Sequence, residues 1–187
     1  MNGGRDDMEA MRVFALVAAT VTTGLTAGLF YTYACSVTPG LGSTGDFMVA
    51  QVMQRLNVAI LNGWFLVGFV GALVFTSVAV VLHLPSDGRR VLPAAVGALV
   101  CYTASLVVTR MVNLPLNQAL AQQAGELGRA RKLSLTAELG RAGQPVRMGG
   151  PFRARWVRWN AARALLSTAA LGFLCWALVL HCHMRPS

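Results

Sequence analysis

Apolar positions along the chain fall into four long runs separated by short polar stretches. Val13 to Ala34, Val58 to Leu84, Val91 to Thr109 and Ala164 to Leu180 contain no Lys, Arg, Asp or Glu. A helix crossing a bilayer needs about 20 apolar residues, and each run meets or approaches that length. Between the first two runs, Phe47 to Asn57 follows a different pattern. Phe47, Val49, Val52, Met53 and Leu56 alternate at helical spacing with Gln51, Gln54 and Arg55. This predicts a short amphipathic helix, too short to span, lying at the interface and running into the second span. Thr38 to Asp46 holds Pro39, Gly40, Gly42 and Gly45, which marks a turn, with Thr44 or Asp46 able to cap the next helix.

The pattern predicts an all-α membrane protein, a four-transmembrane-helix bundle in one domain over 1–187. The amphipathic helix follows the first span, and a surface helix over 122–132 follows the third. The first run is too long for the apolar part of a signal peptide, and Asp6, Asp7 and Glu9 precede it, so it reads as a retained helix. Gly24 and Gly28 within it give a small-xxx-small spacing that lets a second helix come close. Residues 122–155 form a basic, Gly-rich insertion expected to be mobile.

Composition supports the same class. The chain is 55% hydrophobic and 12% charged, about half the charged content of a soluble domain. Sixteen basic against seven acidic residues give a net charge of +9. Aromatics do not interleave with the basic residues as in nucleic-acid readers, so lipid headgroups are the expected partner and no nucleic acid is. Four spans place both termini and the 85–90 turn on one side. Eleven of the 16 basic residues then fall on the other side, which would make it cytoplasmic in a multi-pass protein of the cell membrane. The four cysteines show no paired spacing, and a disulfide framework is not expected.

Polar residues gather at one end of the expected bundle. Tyr31 and Tyr33 end the first span, while Gln54, Asn57 and Asn62 lead into the second. Arg110, Asn113 and Asn117 close the third, and Trp156, Trp159, Asn160 and Arg163 open the fourth. On a continuous helix Arg110, Asn113 and Asn117 would share a face. Pro115 disfavours continuity, so the helix is expected to end near Asn113 and restart at Pro115. Amides and guanidinium groups at membrane depth are costly and are therefore candidates for a site. The expected arrangement is a pocket with Asn113, Asn160 and Arg163 around one cavity; a structural clasp between helices is the competing reading. At the opposite end stand His83, His181, Cys182 and His183. Residues two apart on a helix point away from each other, so these read as exposed interfacial groups and no metal site is expected.

Four elements in order carry a resemblance: Pro39-Gly40-Leu41, Met53-Gln54-Arg-Leu-Asn57, Asn113-Leu-Pro115-Leu-Asn117 and Trp156-Val-Arg-Trp159-Asn160-Ala-Ala-Arg163. Together they resemble the anthrone-oxygenase-like integral membrane family, most of whose members carry a domain of unknown function. The resemblance covers nearly the whole chain and departs from the family in the basic, Gly-rich insertion. It implies a four-helix membrane protein, a few relatives of which in polyketide pathways are assigned oxidation of anthrones to anthraquinones. Because the carbanion of such a substrate is delocalised, the expected activity is oxygenation of a hydrophobic aromatic, anthrone-like or phenolic molecule with no cofactor. On that reading Asn113, Asn160, Arg163 and Arg110 form the catalytic group. Tyr31, Gln54, Asn57, Asn62, Asn117, Trp156 and Trp159 bind the substrate. The alternative is a non-enzymatic membrane protein that binds lipid or a partner. No histidine stands on the site's side, so an ionised substrate phenol, Tyr31 or Tyr33 would have to act as the base.

Overall fold

The computed structural model describes residues 3–40, 46–60, 62–85, 89–119, 121–122, 125, 129 and 150–183. Five helices organise them: α1 (Gly3–Thr32), α2 (Asp46–Ala59), α3 (Gly63–Leu82), α4 (Leu92–Val108) and α5 (Gly150–His183). Four are long and apolar enough to cross a membrane, namely Gly4–Val37, Gly63–Leu82, Leu92–Ala119 and Ala154–His183. There is no strand among the described residues. The protein is an all-α, four-helix transmembrane bundle.

α1 packs against α3 and α5, and α4 against α5 and α3, so the four long helices close into a ring. The core at the end holding the chain termini is built from small side chains: Ala15, Ala19, Ala79, Ala94, Ala98 and Ala177, with Leu16, Val91 and Leu174 filling between them. Small residues matter here because lipid is as apolar as leucine; helices associate through close packing rather than through water exclusion. Gly97 shows how tight the fit is, since a Cβ there would lie 3.2 Å from the Phe173 ring. Gly24 faces Leu171 of α5, whereas Gly28 has nothing within 4 Å of its Cβ position, so only half of the glycine pair serves an interface. Several hydroxyls inside the spans are satisfied, though those of Thr23 and Thr76 are buried without a partner among the described residues. Thr20, Thr26 and Ser77 each donate to the carbonyl four residues earlier, while Tyr102 donates across to Phe69 O at 2.7 Å.

The outward faces carry Phe14, Leu25, Trp64, Val67, Val100, Leu165 and Trp176, all exposed. An apolar belt on every long helix is what hydrocarbon, not water, solvates. None of the four cysteines is in a disulfide.

Three boundaries differ from the sequence pattern. First, α2 does not run into the second span. α2 ends at Ala59 and α3 starts at Gly63, where Asn62 caps α3 by accepting from Phe65 N–H at 2.9 Å. Second, the third span does not stop at Asn113. Thr109–Asn113 forms a π-helical turn and the helix continues through 114–119. Leu114 keeps helical angles and donates its N–H five residues back, to Thr109 O. The wider turn makes room for the Pro115 ring, which would otherwise meet a carbonyl of the preceding turn. Third, α5 begins at Gly150, so the last residues of the expected insertion are its first turns. Of the expected surface helix over 122–132, Gln122, Gly125 and Arg129 are described, helical and exposed; its other residues, the expected cap Thr44 and most of the insertion lie outside the described residues.

Candidate functional site

A cavity of about 360 Å³ opens at the end of the bundle away from the termini. Its walls come from every helix: Phe30 from α1, Tyr33 just beyond it, Gln54 and Val58 from α2, and Phe65 and Phe69 from α3. Thr109, Asn113, Leu114 and Asn117 come from the third span, and Trp156 and Arg163 from α5. The volume lies within the range of small-molecule sites, about 300–1,000 Å³.

Two π-helical turns border it. Tyr33–Val37 extends α1 and Thr109–Asn113 extends α4. Such turns are rare, and they reorient side chains by placing an extra residue in the helix. Tyr33 and Asn113 are the buried residues of their respective turns, and both line the cavity. Arg110, in the second turn, is exposed and does not line it. With more residues per turn, a spacing of three no longer returns to the same face, which separates Arg110 from Asn113.

One wall is aromatic. Phe65 and Phe69 stack with ring centroids 5.0 Å apart, and Phe30 meets Phe69 edge-on at 6.5 Å. The Arg163 guanidinium carbon sits 4.3 Å from the Phe30 ring centroid, a cation–π arrangement. Arg163 also donates from Nη2 to Asn160 Oδ1 at 2.6 Å. Asn160 itself is fully buried and does not line the cavity; it holds the guanidinium that does. On the facing wall Trp156 Nε1 donates to Asn117 Oδ1 at 2.9 Å, tying α5 to the end of the third span.

Beside these bonds, Asn113 stands out. It is 1% exposed, and neither its amide nitrogen nor its carbonyl oxygen has a hydrogen-bond partner among the described residues. Arg163 Nε and Asn160 Nδ2 are likewise unpaired. Leaving a buried polar group unmatched costs about 1–3 kcal/mol, and buried groups are rarely left so. Donors and an acceptor are therefore held ready around an aromatic-walled space.

The structure thus brings Asn113, Asn117, Trp156, Arg163 and Gln54 to one cavity, with Asn160 behind Arg163. Tyr31 is 61% exposed and turned away, and Trp159 lies in a shallow surface hollow with Arg155 and Arg158. Asn62 is exposed and occupied as a helix cap. The Asn57 side chain lies outside the described residues. The phenylalanines of the wall and Thr109 were not anticipated. At the other end of the bundle, His83 and His181 are buried rather than exposed, because each ring nitrogen that faces the protein finds a polar neighbour there. His183 is exposed. No group of three His, Cys, Asp or Glu able to hold a metal occurs among the described residues.

The profile of the anthrone oxygenase family matches residues 63–173. The chain belongs to the anthrone oxygenase family. The match takes in Phe65, Phe69, Asn113, Asn117, Trp156, Asn160 and Arg163, most of the cavity's polar groups. It leaves out α1 and α2, so Phe30, Tyr33 and Gln54 complete the family's shared part from outside it. Searches of curated proteins and of solved structures return no match.

Proposed function

We propose that this family member is a membrane-embedded, cofactor-independent oxygenase that converts a hydrophobic, anthrone-like or phenolic substrate to the corresponding quinone in the Asn113–Arg163 cavity. The unpaired Asn113 amide, buried beside aromatic rings, is the observation that carries the reading. A flat polycyclic phenol would bury its rings against Phe30, Phe65 and Phe69. Its oxygens would accept from Asn113 and Arg163 and donate to the Asn113 carbonyl oxygen.

The chemistry needs an acidic methylene next to the rings. A base removes one proton, and the electron pair spreads onto the ring carbonyl oxygen, where the Arg163 charge stabilises it. Dioxygen takes the pair at the former methylene carbon, forming a carbon–oxygen bond and, after protonation, a hydroperoxide. Loss of the second proton with cleavage of the O–O bond releases water and leaves the ketone. One methylene and one dioxygen become one carbonyl and one water. The base is the substrate's own ionised phenol or Tyr33, which lines the cavity together with Arg163.

The test uses the full chain in lipid nanodiscs with a trihydroxyanthrone under air. Dioxygen consumed should equal quinone formed, and Arg163→Met should lower kcat/KM by about 10²–10³, the usual effect of removing one charge-stabilising donor. Absence of turnover by the wild type, or an Arg163→Met variant as fast as wild type, would reject the reading. The clasp reading is favoured by one observation, the Trp156–Asn117 bond between helices. It predicts that variants around the cavity lose stability without an effect on any ligand.

A further inference from the structure

Far from the cavity, the ends of α1, α3 and α5 meet around two buried histidines. His83 follows the last residue of α3 and is 0% exposed; His181 lies in the last turn of α5 and is 4% exposed. Ring nitrogens His83 Nε2 and His181 Nδ1 face each other at 3.4 Å. The other two nitrogens face oxygens of their own. His83 Nδ1 is 2.7 Å from Ala79 O, and His181 Nε2 is 3.0 Å from Glu9 Oε1.

The Ala79 carbonyl can only accept, so His83 Nδ1 carries a hydrogen. His181 Nε2 makes no aligned hydrogen bond, but a bare lone pair there would face the Glu9 carboxylate at 3.0 Å, so a hydrogen on this nitrogen turns a repulsion into an ion pair. If both rings were neutral, their remaining nitrogens would be two lone pairs pointed at one another in a site closed to water. One further proton resolves this. We propose that His83 and His181 form a one-proton site, with His181 as the imidazolium donating from Nδ1 to His83 Nε2, and that this proton latches α1, α3 and α5 together at the termini-bearing end of the bundle.

The surrounding charges fit a single proton and no more. Glu9 lies 3.0 Å from His181 Nε2 and 3.6 Å from Arg12 Nη1, while Arg12 Nε donates to Leu82 O at 2.9 Å beside His83. Burial pushes the His83 imidazole below its ordinary value; His181 and Arg12 add to this, and the Ala79 carbonyl and Glu9 oppose it. His83 is therefore the ring that stays neutral and accepts. His183, exposed and bonded to Val179 O, lies outside the arrangement, as do exposed Arg89 and Arg90 in the 85–90 turn.

The latch responds to pH in both directions. When the pair loses its proton, the Nδ1–H···Nε2 bond is lost and two lone pairs remain buried, so stability falls as pH rises through that step. In acid, a neutral His83 works the other way. Its folded value is depressed, so below about 6.5 the unfolded chain binds a proton that the folded chain refuses, and stability falls as pH falls.

The experiment measures thermal unfolding of the full chain in detergent against pH for wild type, His181→Gln and His183→Gln. Expected is a maximum that falls on both sides for wild type and His183→Gln, and loss of the alkaline decline in His181→Gln. Should His181→Gln not fold, ¹⁵N-histidine NMR of the wild type decides. It should show His181 protonated on both nitrogens, His83 on Nδ1 alone, and one proton leaving the pair as pH rises. Two neutral rings throughout the folded range overturn the proposal. So does a chelator-sensitive rise in unfolding temperature on adding Zn²⁺ that His83→Gln abolishes, since a metal ion would then hold the place of the proton.

Discussion

Asn113 is held in a position that costs the empty protein stability, and that cost can be measured. Replacing it with leucine, which keeps the branching at Cγ and can extend its extra volume into the adjoining cavity, removes an unmatched amide from a buried site. Asn113→Leu should therefore raise the unfolding midpoint by the equivalent of about 1–3 kcal/mol while abolishing binding of a phenolic ligand. A lower midpoint in calorimetry would show the amide to be part of the protein's own bonding. Trp156→Phe should do the reverse. It takes the donor from Asn117 and should cost about 1–3 kcal/mol, read as a lower midpoint before any change in turnover. Residues such as Asn113 and Arg163 were legible in the sequence because amides and guanidinium groups gathered at the ends of apolar runs, at membrane depth, are an anomaly that physics must explain. Phe30, Phe65 and Phe69 were not, since a phenylalanine facing a cavity and one facing lipid look alike in a hydrophobic segment. Asn62 and Trp159 misled for a related reason: polar and amphipathic residues at a membrane interface also serve as caps and anchors.

At the scale of elements, the apolar runs located the four long helices but not their ends. The pattern cannot show that α5 starts at Gly150, because residues 150–163 are polar enough to resemble a loop and gain their helicity by continuing a span. Nor does it show the π turns, which keep helical composition while rotating the rest of the helix to a new face. Pro115 is the one residue that hints at the second. Its ring requires an altered turn before it, and the structure supplies a wider one where a break was expected. Pro115→Ala tests whether that turn serves the site. Alanine restores the missing N–H and lets the segment relax towards regular α-helix, so the midpoint should hold or rise. Asn113 would rotate out of register with Arg163, and ligand affinity should fall at least tenfold by titration calorimetry. Unchanged affinity would mean that the π turn accommodates the proline and nothing more.

On the scale of the whole molecule, the bundle carries a polar cluster at each end and an apolar middle. Along α1, Arg12 beside the histidine pair and Phe30 beside the cavity are 18 residues apart, about 27 Å of helix. Alanines pack closely between them, and a close-packed interior can transmit a displacement only if it has a second arrangement to move to. No such alternative is evident in the all-α ring, so the two ends should act independently. A double-mutant cycle of Asn113→Leu with His181→Gln, read as unfolding free energy at neutral pH, should be additive within about 0.5 kcal/mol, as expected for sites more than 10 Å apart. Ligand affinity in His181→Gln should equal that of wild type. A coupling above about 1 kcal/mol, or an affinity that tracks the protonation of the histidine pair, would show that fastening the termini-bearing end of α1 also sets the position of Phe30 and Tyr33. The one-proton latch would then regulate the cavity across the membrane rather than only stabilise the fold.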